Sequence, residues 1–530
     1  MSQLLTGSLR LTRFELRRDR VLAPVWMLVL LLVVYASAAA TESLYPTDAE
    51  RIAAAELINS SPATVALYGP ILDVDSVGEV SMTKTTVLYA LFLMILAVML
   101  VRRHTRGEEE SGRAELLAAG RVGRHAQLLS AVTEATVIVT ATAVLAALAS
   151  IAGGLPVQGS VLFGASWWGC GLVGAAVGAV SCQLSASART CGFIAAGALG
   201  VMFLVRAVGD VTETWVSWLS PLGWNTQLRA WSEPRVWVLL LYVVAAGALF
   251  TLAVVLRDRR DLGSGLVAAR PGPAEGSPRL RDVVALTIRV HATALVAWTL
   301  AAVVMGTVFG SLVPNLGSLF ESATGQEMLE RLGGAGSVQD AMLAGILSVV
   351  AMVLTGFALS VTAHGGADER DGRTEQVLAT ATPRSMAFGA IAGLALLGST
   401  WLLLVTGVGA GLGYGIQADG LGSTFAETLG AALAPAPAVW LVAAIGLLGM
   451  AMGSRWAWLG WAALTFFVTV GLVGEILRLP DLVISLSPYQ HIPKVPSEPW
   501  EWTGPLVLCG LTMVLVVAAW WSYRRRDIGS

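Results

Sequence analysis

Long apolar runs separated by short polar islands dominate the chain, and their spacing predicts twelve membrane-crossing helices. The runs lie near 21–40, 85–101, 127–152, 160–182, 190–208 and 236–256, then near 291–313, 340–362, 386–411, 432–453, 456–474 and 503–522. Most hold about 20 residues, enough to span the hydrocarbon of a bilayer. The first is longer than the core of a signal peptide, so it reads as a span and not as a cleaved leader. Ahead of it, Arg10, Arg13, Arg17 and Arg20 recur at three- and four-residue steps. They share one face of an amphipathic helix suited to anionic headgroups. Residues 210–235 are too polar to span and carry several tryptophans.

The polar islands repeat. Residues 108–124, EEESGRAELLAAGRVGR, match 368–384, DERDGRTEQVLATATPR, without a gap at an offset of 260. Glu109, Gly112, Arg113, Glu115, Ala119 and Arg124 become Glu369, Gly372, Arg373, Glu375, Ala379 and Arg384. Arg17 and Trp26 return as Arg289 and Trp298, and Gly174 and Gly178 as Gly449 and Gly453. Leu219-Ser220-Pro221 returns as Leu486-Ser487-Pro488, and Ser232-Glu233-Pro234 as Ser497-Glu498-Pro499. The halves end alike, in Arg260-Asp261-Leu262-Gly263-Ser264 and Arg526-Asp527-Ile528-Gly529-Ser530. The expected fold is therefore an all-α integral membrane protein of twelve transmembrane helices, arranged as two parallel six-helix repeats. The first half is 1–256, a linker rich in Arg, Asp, Gly and Pro is 257–278, and the second half is 279–530.

Placement of basic residues predicts the orientation. With both termini inside, 26 Arg and Lys fall on the cytosolic side and eight elsewhere. This asymmetry puts both islands and both Arg-Asp ends in the cytosol of a bacterial plasma membrane.

Composition narrows the function. Of 530 residues, 55% are hydrophobic and 13% charged, against about 25% charged in soluble domains. Mean hydropathy is +0.70. A net charge of −2 offers no footprint for nucleic acid. Cys170, Cys182, Cys191 and Cys509 lie in or beside apolar runs without CxxC spacing and read as small buried side chains. A P-loop requires Gly-Lys, but Lys84 follows Thr83 and Lys494 follows Pro493. Neither HExxH nor GxSxG occurs, and the five histidines are scattered, with no grouping beside carboxylates along the chain. The chain itself is expected to be no enzyme, with no metal and no cofactor of its own.

Each island has two readings. A loop between spans needs charge simply to stay in water, yet a solvated connection has no need of the same residues twice. If Ser111 and Asp371 cap short helices, Glu115 and Glu375 sit in the favoured first turn. If the preceding span runs on instead, Glu109–Arg113 and Glu369–Arg373 become i,i+4 pairs. Either gives a short stiff helix with Leu116, Leu117, Val377 and Leu378 beside charges, which suits docking of another protein.

Two six-span halves, an ExxGRxE island in each and an Arg-Asp-Leu/Ile-Gly end to each resemble the ABC-2 type permeases. Over essentially its whole length the chain resembles the fused, double-length permeases of actinobacterial antibiotic and multidrug exporters, the tetronasin-resistance type. The resemblance implies coupling helices made by Glu109, Gly112, Arg113, Glu115 and Arg124, and by Glu369, Gly372, Arg373, Glu375 and Arg384. These would dock two copies of a separate ATPase subunit, and ATP and Mg would be bound there. It also implies outer re-entrant hairpins at 219–224 and 486–491, with Ser220, Pro221, Trp224, Ser487, Pro488 and His491 at an extracellular gate. Trp26 and Trp298 stand as candidates for an aromatic pathway for a small hydrophobic or amphipathic substrate, or as interfacial anchors in contact with membrane lipid.

The alternative is a proton-coupled secondary exporter of the major-facilitator type, whose GxxxDRxGR loop is approached by Gly365, Glu369, Arg370, Gly372 and Arg373. Against it, the first island has Thr105 and Glu110 where that pattern wants glycine and arginine. Glu134 is the clear candidate for a carboxylate within a span. A structural or receptor role is the third reading, distinguished by whether an ATPase co-purifies.

Overall fold

The computed structural model describes residues 6–44, 47–60, 62–120, 122–267, 275–278, 280–317, 335–415, 421–473 and 480–527. Parts of four expected features lie outside them: Arg121 of the first island, 268–274 of the linker, residue 474 at the end of an apolar run, and Ile528-Gly529-Ser530 of the second end motif. The chain is 80% helical with no strand among the described residues. It forms two compact units, Met1–Gly272 and Pro273–Ser530.

In the first unit the order is α1 (Ser8–Arg18), α2 (Leu22–Leu44), α3 (Asp48–Ser60), α4 (Pro62–Tyr68), α5 (Val77–Lys84), α6 (Ala90–His104), α7 (Arg106–Glu110) and α8 (Arg113–Ala118). Then follow α9 (Ala126–Ala152), α10 (Val157–Leu184), α11 (Ala188–Val211), α12 (Gly223–Gln227) and α13 (Val238–Asp258). The second unit holds α14 (Val283–Gly317), α15 (Ala335–Arg370), α16 (Arg373–Leu378), α17 (Arg384–Gly415), α18 (Leu421–Leu433), α19 (Ala436–Met452), α20 (Leu459–Val473), α21 (Asp481–Ile484) and α22 (Thr503–Arg525).

Among the described residues, eleven helical stretches are long and apolar enough to cross a membrane, which makes this a multi-pass membrane protein. The twelfth expected run, 456–474, holds α20, an apolar helix of which 15 residues are described, against the roughly 20 a full span needs. The run near 85–101 grows into one stretch, Val77–Glu110. It contains a π-turn, Thr85–Tyr89, between α5 and α6. A π-turn leaves backbone carbonyls without their usual helical donors. Here Trp167 Nε1 donates to the Thr85 carbonyl at 3.2 Å and Asn225 Nδ2 to that of Thr86 at 2.8 Å.

α10 is the central helix of the first unit because its glycines admit a neighbour's backbone. A Cβ on Gly174 would meet Met94 Cα at 2.7 Å, and one on Gly178 would meet Val98 Cα at 3.1 Å. α10 therefore lies directly on α6. The matched pair in the second unit behaves differently. Gly449 packs against the Trp456 carbonyl, whereas Gly453 ends α19 at φ 131° with nothing within 4 Å of a built Cβ. Its role is conformational, so the packing pair of the first unit does not repeat in the second. The close helix contact of the second unit is between α14 and α17. Cβ atoms on Gly306 and Gly310 would stand 2.2 and 2.3 Å from the carbonyls of Thr406 and Ala410. Those on Gly409 and Gly413 would stand 2.7 and 2.2 Å from the carbonyls of Val303 and Thr307. Two GxxxG faces thus lie against each other.

Candidate functional site

Each island forms the expected short helix, α8 and α16, of six residues each, but Ser111 and Asp371 do not cap them. A glycine in the left-handed region makes the turn into each: Gly112 at φ 72° and Gly372 at φ 70°. A built Cβ meets nothing within 4 Å at either position. The requirement for glycine is therefore one of backbone conformation. Gly112 N–H donates to the Glu109 carbonyl and Gly372 N–H to that of Glu369, both at 3.1 Å. Ser111 turns back to donate to the Glu108 carbonyl, and Asp371 accepts from Arg373.

The i,i+4 pairs are also absent, because both glutamates face inward. Glu109 accepts from Arg106 Nη1 at 2.8 Å and from both terminal nitrogens of Arg260 at 2.8 Å. Its side chain is 1% exposed, beside 0% for Arg106 and 3% for Arg260. Glu369 accepts in the same two-pronged way from Arg526. The two motifs repeated in sequence, the island and the Arg-Asp end, are therefore partners. Arg113 pairs instead with Glu108 at 3.6 Å, and Arg373 with Asp368 and Asp371 at 2.7 Å.

The last arginine of each island makes a second tie to the same end. Arg124 Nη2 donates to the Asp258 carbonyl at 3.1 Å, and Arg384 Nη1 to the Arg524 carbonyl at 3.3 Å. Both acceptors lie where the final long helix of their unit closes. Glu115 and Glu375 are exposed, and Leu116 is 78% exposed. Each island thus has a pinned base and a free tip.

The segments 219–224 and 486–491, expected as outer hairpins, carry buried serines. Ser220 Oγ donates to the Met202 carbonyl at 2.7 Å and Ser487 Oγ to the Phe467 carbonyl at 3.2 Å, with both residues fully buried. Pro221 and Pro488 are buried beside them. Trp224 is half-buried, donates to the Trp218 carbonyl at 2.6 Å and meets Tyr242 edge-on. His491 is exposed, its Nε2 at 2.7 Å from the Ser485 carbonyl. Beside the first hairpin, Arg206 is fully buried, 3.2 Å from Asp210 and bonded to the carbonyls of Val65, Ala66 and Leu67. Trp26 packs on the core of the first unit, and Trp298 on that of the second, edge-on to Phe357.

Of the histidines scattered in sequence, one sits among buried carboxylates and two meet each other. His104 Nε2 lies 2.7 Å from Asp19 and 3.3 Å from Glu134. Glu15 of α1 faces the same layer, accepting from Ser130 Oγ at 2.8 Å. Burial pushes the Glu15 carboxyl up to about 7, against the lowering effect of the Ser130 bond. In the second unit His291 meets His364 edge-on with ring centres 5.0 Å apart. The signal was available in the two repeat offsets, which align Asp19 with His291 and His104 with His364.

A family model described as the C-terminal domain of the multidrug efflux system permease Rv1217c matches residues 280–524. The chain is 38% identical over 529 residues to the multidrug efflux system permease protein Rv1217c of Mycobacterium tuberculosis, covering 99% of this chain and 95% of that protein. With its apolar helices and paired islands, the chain belongs to the family of double-length actinobacterial multidrug efflux permeases.

Proposed function

We propose that the chain is the permease subunit of an ATP-driven ABC exporter that moves hydrophobic or amphipathic compounds, antibiotics and drugs among them, out of the cell. Two copies of a separate ATPase subunit, binding ATP and Mg, would dock on the islands from the cytosol, where both termini would also lie. The observation that carries this reading is the repeated pinned base and exposed tip. Glu109–Arg260 and Glu369–Arg526 fix each island to the end of its unit, while Glu115, Leu116 and Glu375 remain free for a partner. A rigid lever ending in an exposed charged and apolar tip suits transmission of an ATPase's movement. The permease named in the comparison is a multidrug efflux protein, which favours cargo of this class.

The test is charge reversal at the tips. Glu115→Arg should weaken ATPase pull-down and drug-stimulated ATP hydrolysis in the reconstituted complex, and the double change with Glu375→Arg should abolish both. A desolvated charge pair lost at an interface costs about 2–5 kcal/mol. Normal assembly and turnover in the double variant would remove the coupling assignment. Failure of the wild-type chain to assemble with any ATPase would instead favour the proton-coupled carrier, for which the buried Glu134 beside His104 is the supporting observation.

A further inference from the structure

Asp19, His104 and Glu134 come from three separate elements: the turn after α1, the end of α6 and the first third of α9. One donor atom of each lies within 4.8 Å of the other two. Asp19 is 1% exposed, His104 2% and Glu134 0%. Neither carboxylate oxygen of Glu134 has a hydrogen-bond partner, and the same holds for Glu15 Oε2 and Asp19 Oδ1. Arg103 Nη1 stands 3.2 Å from Asp19 Oδ1, but its side chain is 39% exposed. Arg18 is occupied by Glu108. With all three ionised, the carboxylates around one imidazole would bury an excess of negative charge, which is costly unless something positive compensates it.

The fold does not require these carboxylates, because the second unit does without them. At the repeat offset of 260, Gln127, Ser130 and Glu134 become Ala387, Ala390 and Leu394, and at 272 Glu15 becomes Thr287. The offset of 260 holds in space, since Trp168 donates to Thr140 at 3.1 Å and Trp440 to Thr400 at 3.0 Å. Ala387 and Ala390 join Val283 in an apolar cluster. The same layer thus holds apolar side chains beside the His291–His364 pair in one unit and three carboxylates around His104 in the other.

We propose that Asp19, His104 and Glu134 bind a divalent cation of the zinc class, with Glu15 or a water completing the shell. One imidazole and two carboxylates form a mixed nitrogen and oxygen set suited to such an ion, and their two negative charges balance its two positive ones. Bonds of about 2.0–2.1 Å in a tetrahedral shell hold ligand atoms about 3.3 Å apart. His104 and Glu134 already stand 3.3 Å apart. The 2.7 Å between His104 and Asp19 would open by about 0.6 Å to match that shell. The bound ion fastens the amphipathic α1 to α6 and α9 in the first unit alone.

The test uses the full chain, purified in detergent, stripped with a chelator and titrated with Zn2+ and separately with Mn2+. Calorimetry should give one Zn2+ per chain, and Zn2+ should raise the melting temperature. Glu134→Leu, which installs the residue of the second unit, should fold, melt no lower than the stripped wild type and bind Zn2+ more than about 100-fold more weakly. His104→Ala should also lose binding. The proposal is overturned if stripped, folded wild type takes up neither ion, or if Glu134→Leu binds Zn2+ as tightly as wild type. It is equally overturned if melting responds to pH between about 5 and 8 but not to Zn2+, because protons would then balance the cluster. None of these readouts needs an ATPase, so they are independent of the coupling reading.

Discussion

Glu109 and Arg260, 151 residues apart, meet through two hydrogen bonds of 2.8 Å. Glu369 and Arg526 repeat the arrangement 157 residues apart. A planar guanidinium matches a carboxylate in this way, and the geometry is lost with lysine. In each unit the pair joins the island to the segment that follows the last long helix. It converts two short polar motifs into one fixed corner.

Removing one partner of the first pair should therefore be expensive. Glu109→Gln leaves Arg106 and Arg260 buried without their carboxylate, a change of about 3–5 kcal/mol. The expected result is a clear fall in the melting temperature of detergent-purified protein. Glu369→Gln should cost less, since the side chain of Arg526 is 17% exposed. Unchanged melting of Glu109→Gln would mean that the pair does not hold the corner.

The turn glycines test the same corner through the backbone. Gly112→Ala and Gly372→Ala face open space but place a Cβ in the left-handed region, at about 1–2 kcal/mol each. Asparagine, which tolerates that region better, should recover part of the loss at both positions. Equal melting of the alanine variants and wild type would show that the turn can rearrange freely.

Close packing of α14 on α17 gives a third expectation. Gly306→Leu or Gly413→Leu forces the helices apart, because a Cβ alone already falls 2.2 Å from a carbonyl oxygen. Both should abolish recovery of folded protein, whereas leucine at Gly393, which has nothing within 4 Å of a built Cβ, should be tolerated. Size-exclusion profiles in detergent decide the matter. A monodisperse Gly413→Leu variant would contradict the contact.

The missing P-loop gives a fourth. Purified alone, the chain should hydrolyse no ATP above a detergent blank. Nucleotide turnover that persists through every purification step would place an ATPase site on this chain and overturn the two-subunit reading.

The buried hairpin serine offers a fifth, smaller effect. Ser220→Ala removes a 2.7 Å bond to the Met202 carbonyl in a fully buried position, which should lower stability by about 1 kcal/mol. Thermal melting with no change would show that the hairpin is held by packing alone.

The sequence by itself determined the class of the protein and its duplication. Apolar runs of membrane length cannot be anything but buried or lipid-facing, and a gapless match between charged islands survives any uncertainty about where helices end. The short helices α8 and α16 were legible for the same local reason. The tertiary structure decided what the repeated residues do. Glu109 reads locally as a partner of Arg113, because its actual partner, Arg260, is far along the chain and nothing local forecasts the meeting. The same distance hid the gathering of Asp19, His104 and Glu134. It also hid the difference between Gly178, which admits a helix, and Gly453, which only ends one. Periodicity along a chain reports which face of a helix is greasy, but which charges share that face's far side depends on how the helices cross.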